Sequence, residues 1–364
     1  MLEIIFFIIV FVYAIETCIF YLGSRKIFPR INEEEYPSAT VIVAARNEEE
    51  NILRCLESLD KIIYPIEKLE IIIVDDNSTD QTGEIIDTFI SGKPKFKKIK
   101  AKKEIGKLKG KTNALANAIE IAEGEIILTT DADCAVSPTW VSTTASYYAP
   151  DVAIVDGYTT QTAGGFFSGM QAIDFIYLQT VGAGTINLQM PISCIGNNMS
   201  YRKKAYLEVG GYEKIPFSVT EDFQLLNAIN DLKKYKIIFP INPDALVTSL
   251  PCKNLKELYR QKKRWSVGGL GVPLSGYLVL VFGFLANVSL LLTPFFFSPV
   301  WLYLALIKII FDFFLVYNSH KTLRITDRLK YFIPFQIYYV LYVFFIPFML
   351  IFLNHKVVWK GREY

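Results

Sequence analysis

The segment TTDADC, Thr129 to Cys134, sets Asp131 and Asp133 one residue apart, directly after the apolar run Ile126–Leu128. A short buried strand that ends in acidic residues puts them at the carboxyl edge of a sheet, where open α/β sheets hold ligands. Two carboxylates so close repel each other unless a cation or a set of donors lies between them, and Mg²⁺ typically takes one or two carboxylates plus substrate phosphates. A metal–diphosphate site is the chemistry that suits this pair, and a solvated turn built on aspartate is the alternative. A second pair, Asp75 and Asp76, closes the run Leu69–Val74, where carboxylates can accept hydrogen bonds from a base imide or ribose hydroxyls. Lys111, in KGKTNALANAI, stands at a helix start, where an ammonium can meet a diphosphate as a point charge. Glu221 and Asp222, in TED, offer a carboxylate base, although Thr220 followed by two acids is also good capping chemistry for a helix.

These residues need elements to position them. ATVIVAARNEEENILRCLESL reads as a strand over Thr40–Ala44, a polar loop and a helix with Ile52, Leu53, Leu56 and Leu59 on one face. LEIIIVDDNSTDQTGEIIDTFI repeats the unit, with a strand over Leu69–Val74 and a helix from about Asp80. KTNALANAIEIAEGEIILTTDADC then supplies a helix and a third strand. Strands alternating with helical patterns predict an α/β domain with a mostly parallel sheet and right-handed crossovers, so that three acidic or polar loops converge on one crevice.

The whole chain of 364 residues is 52% hydrophobic and 14% aromatic, with a mean hydropathy of +0.30, against roughly 45–50% apolar in soluble proteins. That balance predicts a protein partly embedded in a membrane. A net charge of +2 gives no footprint for nucleic acid. Five scattered cysteines and the two histidines, His320 and His355, supply zinc chemistry, a disulfide scaffold or a histidine triad poorly. Leu2–Leu22 is long enough to span a bilayer, and the basic Arg25, Lys26 and Arg30 that follow belong on the cytoplasmic side. Leu274–Phe297, Val300–Tyr317 and Tyr331–Leu353 are three further apolar runs. NLKELYRQKKRWSVGG, before them, is basic and amphipathic, as a helix lying at a membrane surface would be. The expected organisation is a transmembrane helix over 1–22, a linker over 23–37, a cytoplasmic α/β domain over 38–250 and an interfacial segment over 251–271. A membrane domain of about three helices over 272–353 and a tail over 354–364 complete it. Parity puts that tail outside, although Lys356, Lys360 and Arg362 oppose the charge rule.

AARNEEENI, VDDNSTD, KGKTNALANAI, TTDADC, GNNMSYRKKAYLEVGGY, VTEDFQL and QKKRW stand in the order of the motifs of family 2 glycosyltransferases. Over about Ser38 to Gly269 the chain resembles their membrane-bound branch, which includes cellulose, chitin and hyaluronan synthases and ceramide glucosyltransferase. The resemblance implies a GT-A fold, a Rossmann-like cytosolic domain flanked by transmembrane helices, with a nucleotide-sugar donor, usually UDP-linked, Mg²⁺ or Mn²⁺, and inversion at the anomeric carbon. It also implies roles: Ala44, Ala45, Asn47 and Glu48 beside the nucleotide, Asp75 and Asp76 at base and ribose, Lys111 and Asp131 at the diphosphate, and Asp131 with Asp133 at the metal. Asp222 would be the base, with Glu221 next to it, while Gln261, Arg264 and Trp265 would close over donor and acceptor. Trp265 keeps two readings, an interfacial anchor or a stacking plate for the acceptor sugar. Gly196 and the pair Gly210–Gly211 suggest either close backbone approach or plain turns.

The expected activity is transfer to a lipid-linked or growing-glycan acceptor at the cytoplasmic face of the cell inner membrane, with the bilayer, and possible oligomers or protein partners, around it. About four spans are few for a channel that threads a polysaccharide, which favours one or a few additions over processive synthesis. A transporter with a nucleotide-binding domain is disfavoured because the apolar runs carry little charge, Lys308 and Asp312 being the exceptions. A nucleotide-sugar-binding pseudoenzyme is opposed by the presence of Asp131, Asp133, Asp222 and Arg264.

Overall fold

The structure, a computed structural model, describes residues 2–101, 104–296, 298–352, 358–359 and 362–363. Most of the tail, with His355, Lys356 and Lys360, therefore lies outside the described residues. The chain runs α1 (Leu2–Ser24), β1 (Ala39–Ala45), α2 (Ile52–Asp60), β2 (Leu69–Asp75), α3 (Thr82–Ile90), β3 (Phe96–Lys100), α4 (Gly110–Ile121) and β4 (Ile126–Asp131). It continues through α5 (Trp140–Ala145), β5 (Val152–Asp156), β6 (Thr159–Gln161), α6 (Phe166–Asn187), β7 (Met199–Arg202), α7 (Lys203–Glu208), α8 (Gly211–Lys214), α9 (Glu221–Asp231), β8 (Lys236–Ile238) and β9 (Val247–Ser249). Four longer helices follow: α10 (Leu255–Gly268), α11 (Leu274–Leu292), α12 (Pro299–Thr322) and α13 (Phe332–Phe352).

Two compact units divide the chain. The first comprises Ile27–Thr160, Cys194–Leu250 and Val358–Tyr364, and is built on a seven-stranded sheet in the order β3-β2-β1-β4-β7-β5-β8. β3, β2, β1 and β4 are mutually parallel, whereas β7 runs antiparallel to both β4 and β5. β1 and β2 bury side chains on both faces, which explains why they read as near-continuous apolar runs rather than alternations. Val41, Val43, Ile71, Ile73, Ile126 and Leu128 share one core with Ile52, Cys55, Leu56 and Leu59 of α2. Leu53, expected on that apolar face, is 46% exposed, because a helix of 3.6 residues per turn brings Cys55, not Leu53, round to the sheet. β4 runs further than its apolar residues, taking in Thr129, Thr130 and Asp131.

The second unit comprises Met1–Lys26, Gln161–Ser193 and Pro251–Val357. Gln161–Ser193, inside the stretch 38–250 expected to be one domain, thus clusters with helices instead. The local reason is close packing. A Cβ on Gly184 of α6 would lie 2.5 Å from the Phe20 backbone of α1, one on Gly23 would lie 2.2 Å from the Gly184 carbonyl, and Gly169 accommodates the Tyr331 ring. Among the described residues three helical stretches, Leu2–Ser24, Pro299–Thr322 and Thr326–Phe348, are long and apolar enough to cross a membrane. The apolar part of α11 is shorter, Gly276–Leu292, because the helix stops at Leu292 ahead of Pro294. α12 starts again at Pro299, with the Ser298 hydroxyl accepting the Trp301 amide at 3.1 Å.

The two charges noted in that apolar run pair with each other inside it. Lys308 and Asp312 are both fully buried and pair at 2.6 Å, one turn apart. Lys308 also donates to Asn287 Oδ1 of α11 at 2.8 Å, while Asp312 accepts from Tyr13 of α1 at 2.5 Å and Gln336 of α13 at 2.7 Å. Tyr13 in turn meets the Tyr177 hydroxyl of α6 at 2.7 Å.

The contact between α1 and α6 tolerates no side chain at the crossing. Gly184→Ala is expected to cost about 1–3 kcal/mol by overpacking, read as a lowered thermal midpoint in detergent, whereas Gly164→Ala, where a Cβ meets nothing within 4 Å, leaves the midpoint unchanged.

Candidate active site

The parallel register assembles the site. Ala45 of β1 lies opposite Asp75 of β2, and Ala44 lies opposite Asp131 of β4, so both acidic strand ends flank the end of the same central strand. The two loops beyond are stitched together. Asn47, with φ of 51°, accepts the Thr79 amide on its side chain at 2.8 Å, and the Glu48 amide donates to Thr82 Oγ1 at 2.8 Å. Arg46 donates to the Asp76 carbonyl at 2.8 Å. Asp75 and Asp76 are both buried, and Asp75 accepts the Ser78 amide at 2.9 Å, so part of its hydrogen-bonding capacity goes into shaping its own loop.

Lys111 connects the motifs. It sits in the first turn of α4, which Gly110 enters with φ of 57°, a conformation that suits glycine. Its ammonium lies 2.7 Å from Asp131 Oδ1 and 3.3 Å from Glu221 Oε1. Burial works to strip Lys111 of its proton, but the fields of Asp131, Glu221 and then Asp222 outweigh it and hold the group above the usual lysine range. One cation therefore draws together the TTDAD strand end and the TED helix start. At that helix start Thr220 makes no side-chain cap, and Asp222 Oδ1 instead accepts the Phe223 amide at 2.8 Å.

Asp222 packs on a segment that sequence reasoning left almost unread. A Cβ on Gly196 would lie 2.7 Å from Asp222 Oδ2, so close backbone approach is realised here, whereas Gly210 and Gly211 have positive φ and meet Lys214 and Tyr206 in a local turn. Residues 195–198 are pinned on several sides. Thr129 Oγ1 donates to the Gly196 carbonyl at 2.9 Å, Thr159 donates to Asn197 Oδ1 at 2.8 Å, and Asn198 Oδ1 accepts the buried Trp140 indole at 2.8 Å. Asn198 Nδ2 donates to the carbonyls of Tyr158 and Ala245 at 2.7 and 3.0 Å. Asp156, fully buried at the end of β5, accepts the Gly157 and Ile195 amides at 3.1 and 3.2 Å. VAIVD had the same signature as IIIVDD, an apolar run closed by aspartate, and would have located it.

Asp133 lies two residues beyond the end of β4, its carbonyl accepting from Arg54 at 2.9 Å. Beside it, burial raises the Cys134 thiol well above its usual range, with the charges of Asp133 and Asp131 adding to the effect. Gln261, Arg264 and Trp265 belong to the helical unit, on α10. There the Trp265 ring stacks on Phe175 with centroids 5.7 Å apart and 17° between planes.

Burial holds the Asp156 carboxyl well above its ordinary value of 3.8. A carboxyl whose folded value is raised destabilises the fold progressively as pH climbs past the unfolded value. Asp156→Asn, which cannot ionise, should therefore gain stability relative to the parent as pH rises from about 4 to 7. Denaturant unfolding at both values checks this, and a constant difference between the two proteins would show that Asp156 does not titrate in this way.

Comparison with known proteins places the chain. The model described as glycosyl transferase family 2 matches residues 40–210, and that of glycosyl transferase family group 2 matches residues 126–353. The beta-monoglucosyldiacylglycerol synthase of Synechocystis sp. (strain ATCC 27184 / PCC 6803 / Kazusa) is 27% identical over 246 residues, covering 64% of this chain and 48% of the synthase. The poly-beta-1,6-N-acetyl-D-glucosamine synthase of Staphylococcus aureus (strain COL) is 27% identical over 290 residues, covering 73% of this chain and 64% of that protein. The chain thus spans roughly half to two thirds of the length of these relatives. The mannosyltransferase PcManGT from Pyrobaculum calidifontis, solved in complex with GDP-Man and Mn²⁺, superposes with a TM-score of 0.61 at 18% identity, covering 93% of this chain and 99% of that one. That likeness shows the GT-A fold. With residues 126–353 matched, more than half of its length, the chain belongs to the family 2 glycosyltransferases.

Proposed function

We propose that the protein is an inverting glycosyltransferase that moves a sugar from a nucleoside-diphosphate donor to a lipid-linked or growing-glycan acceptor at the cytoplasmic face of a membrane. The observation that carries this reading is Lys111 set between Asp131 and Glu221, which supports one site containing both the diphosphate-facing strand end and the base-bearing helix. Inversion needs a single in-line displacement, so one carboxylate base suffices. Asp222 accepts the proton of the attacking hydroxyl. Its Oδ1 is oriented by the Phe223 amide, and its Oδ2 lies close against Gly196, where a Cβ would come within 2.7 Å. Lys111 faces the donor diphosphate as a point charge once that group competes for it. The stitched loops carrying Ala44, Ala45, Asn47, Glu48, Asp75 and Asp76 receive the base and ribose.

A Mg²⁺ or Mn²⁺ ion would be held by Asp131 and Asp133. Among the described residues no group of three or more His, Cys, Asp or Glu could hold a metal on its own, and a pair of hard carboxylates completed by substrate phosphates is the donor set Mg²⁺ prefers. When bound, such an ion stabilises charge gathering on the departing diphosphate. The relative solved with GDP-Man and Mn²⁺ supports a diphosphate donor and a divalent ion, and the motif resemblance favours uridine.

The name of the Synechocystis relative supports a lipid acceptor, and the basic flank Arg25, Lys26 and Arg30 supports a cytoplasmic catalytic unit. The poly-N-acetylglucosamine synthase likeness favours a second reading, polymer synthesis, which product length distinguishes.

Purified protein offered UDP-glucose, UDP-N-acetylglucosamine and GDP-mannose with extracted lipids is expected to turn over one donor, and to lose transfer in excess chelator. Asp133→Ala should weaken nucleotide and Mn²⁺ binding together. Asp222→Asn keeps the amide contact to Phe223, so thermal midpoint and nucleotide affinity stay close to the parent while transfer falls about 10²–10⁴-fold. Survival of activity within a few-fold would move the base to Glu221.

A further inference from the structure

α10 carries five basic residues, Lys256, Arg260, Lys262, Lys263 and Arg264, with Lys253 flanking it, yet Lys262 is the one that is buried among them. Its side chain is 2% exposed and is paired with Asp174 of α6, itself 3% exposed. The same ammonium lies 4.5 Å from the Trp265 ring centroid and 4.6 Å from that of Tyr342 of α13. Trp265 is therefore held between Lys262 on its own helix and Phe175, the neighbour of Asp174, on α6. Asp174 and Phe175 together fix both the rotation of α10 and the plane of its indole.

This arrangement is poorly suited to stability alone. The Oδ1 of Asp174 and the hydroxyl of Tyr338 are buried without a hydrogen-bond partner, and taking two charges out of water costs more than packing apolar groups of similar volume. An apolar contact, however, tolerates rotation and sliding, whereas an ion pair with cation–π contacts accepts one register. On the helical repeat, Gln261, Arg264 and Trp265 are spaced three and four residues apart and share a face, so whatever fixes the rotation of α10 fixes all three.

We propose that Lys262 and Asp174 form a positioning pair that sets the register of the Q-x-x-R-W helix, and through it the placement of Gln261, Arg264 and Trp265, rather than a pair that holds the fold together. The inference rests on the glycosyltransferase reading above and on the closing role over donor and acceptor that the family resemblance implies for Gln261, Arg264 and Trp265. Neither residue touches substrate; both act through the motif side chains.

The test compares Lys262→Met, Lys262→Arg and the double variant Lys262→Met/Asp174→Leu in detergent, with whichever of UDP-glucose, UDP-N-acetylglucosamine and GDP-mannose the parent turns over. Lys262→Met strands a buried carboxylate and should lower both thermal midpoint and turnover. The double variant should fold with a midpoint at or above the parent, keep its donor KM within about three-fold, and still lose kcat on the order of 10- to 100-fold, the scale of a small misplacement of reacting groups. Lys262→Arg, which keeps the charge, should recover most of the kcat lost in Lys262→Met. A double variant with parental kcat overturns the proposal. So does one that fails to fold, since the pair would then be needed for the fold itself, and so does a loss that falls on donor KM. A parent that turns over none of the three donors counts instead against the glycosyltransferase reading and is seen before any variant is made.

Discussion

Negative charge crowded at the carboxyl edge of the sheet is the constraint around which the catalytic unit is organised. Strand ends and a helix start bring Asp75, Asp76, Asp131, Asp133, Glu221 and Asp222 into one unit, and carboxylates in such company repel one another unless cations or amides face them. The chain answers this crowding in several ways. Asp75 and Asp222 take backbone amides of their own loops, Asp131 and Glu221 share Lys111, and Asp156 is sealed away and held well above the ordinary carboxylate range by burial.

What could be seen in the sequence follows from range. Parallel strands buried on both faces announce themselves as apolar runs, and Leu69–Val74 and Ile126–Leu128 are strands as expected. The acidic pairs that close them were legible because strand direction alone decides which end faces ligand. Of the pinned segment 195–198 the sequence pointed to Gly196 but not to the bonds that hold it, because the partners Thr129, Trp140, Asp156 and Thr159 lie far away in the chain, and neither asparagines nor threonines have a periodic signature. The membership of α6 escaped for a similar reason. It is set by backbone meeting backbone at Gly23 and Gly184, and a small residue in an apolar stretch gives no hint of what it is small for. The run from Leu274 to Phe297 showed the opposite error, since hydropathy continues past Pro294 whereas the helix does not.

The two units use buried charge for different ends. In the sheet unit the Lys111 ammonium joins a strand end to a helix start through Asp131 and Glu221. In the helical unit the charges of Lys262 with Asp174, and of Lys308 with Asp312, are enclosed by side chains from neighbouring helices. Aromatic rings take much of the role that water has elsewhere: Tyr13 and Tyr339 lie about the Lys308 ammonium as Trp265 and Tyr342 lie about that of Lys262. Such pairs contribute less to stability than apolar packing would, and more to uniqueness of arrangement.

The order of the helices along the chain gives the Lys308–Asp312 pair a meaning for biogenesis. In the membrane setting proposed here, α12 leaves the ribosome after α1, α6 and α11, which supply Tyr13, Tyr177 and Asn287, but before α13, which supplies Gln336. A nascent segment with a lone lysine or a lone aspartate at its centre would be a poor substrate for lateral release into lipid. Because the two charges stand one turn apart on the same helix, α12 carries its own counter-ion from the moment it coils. Entry into the bilayer and capture by earlier helices can then proceed without waiting for the last one to be made.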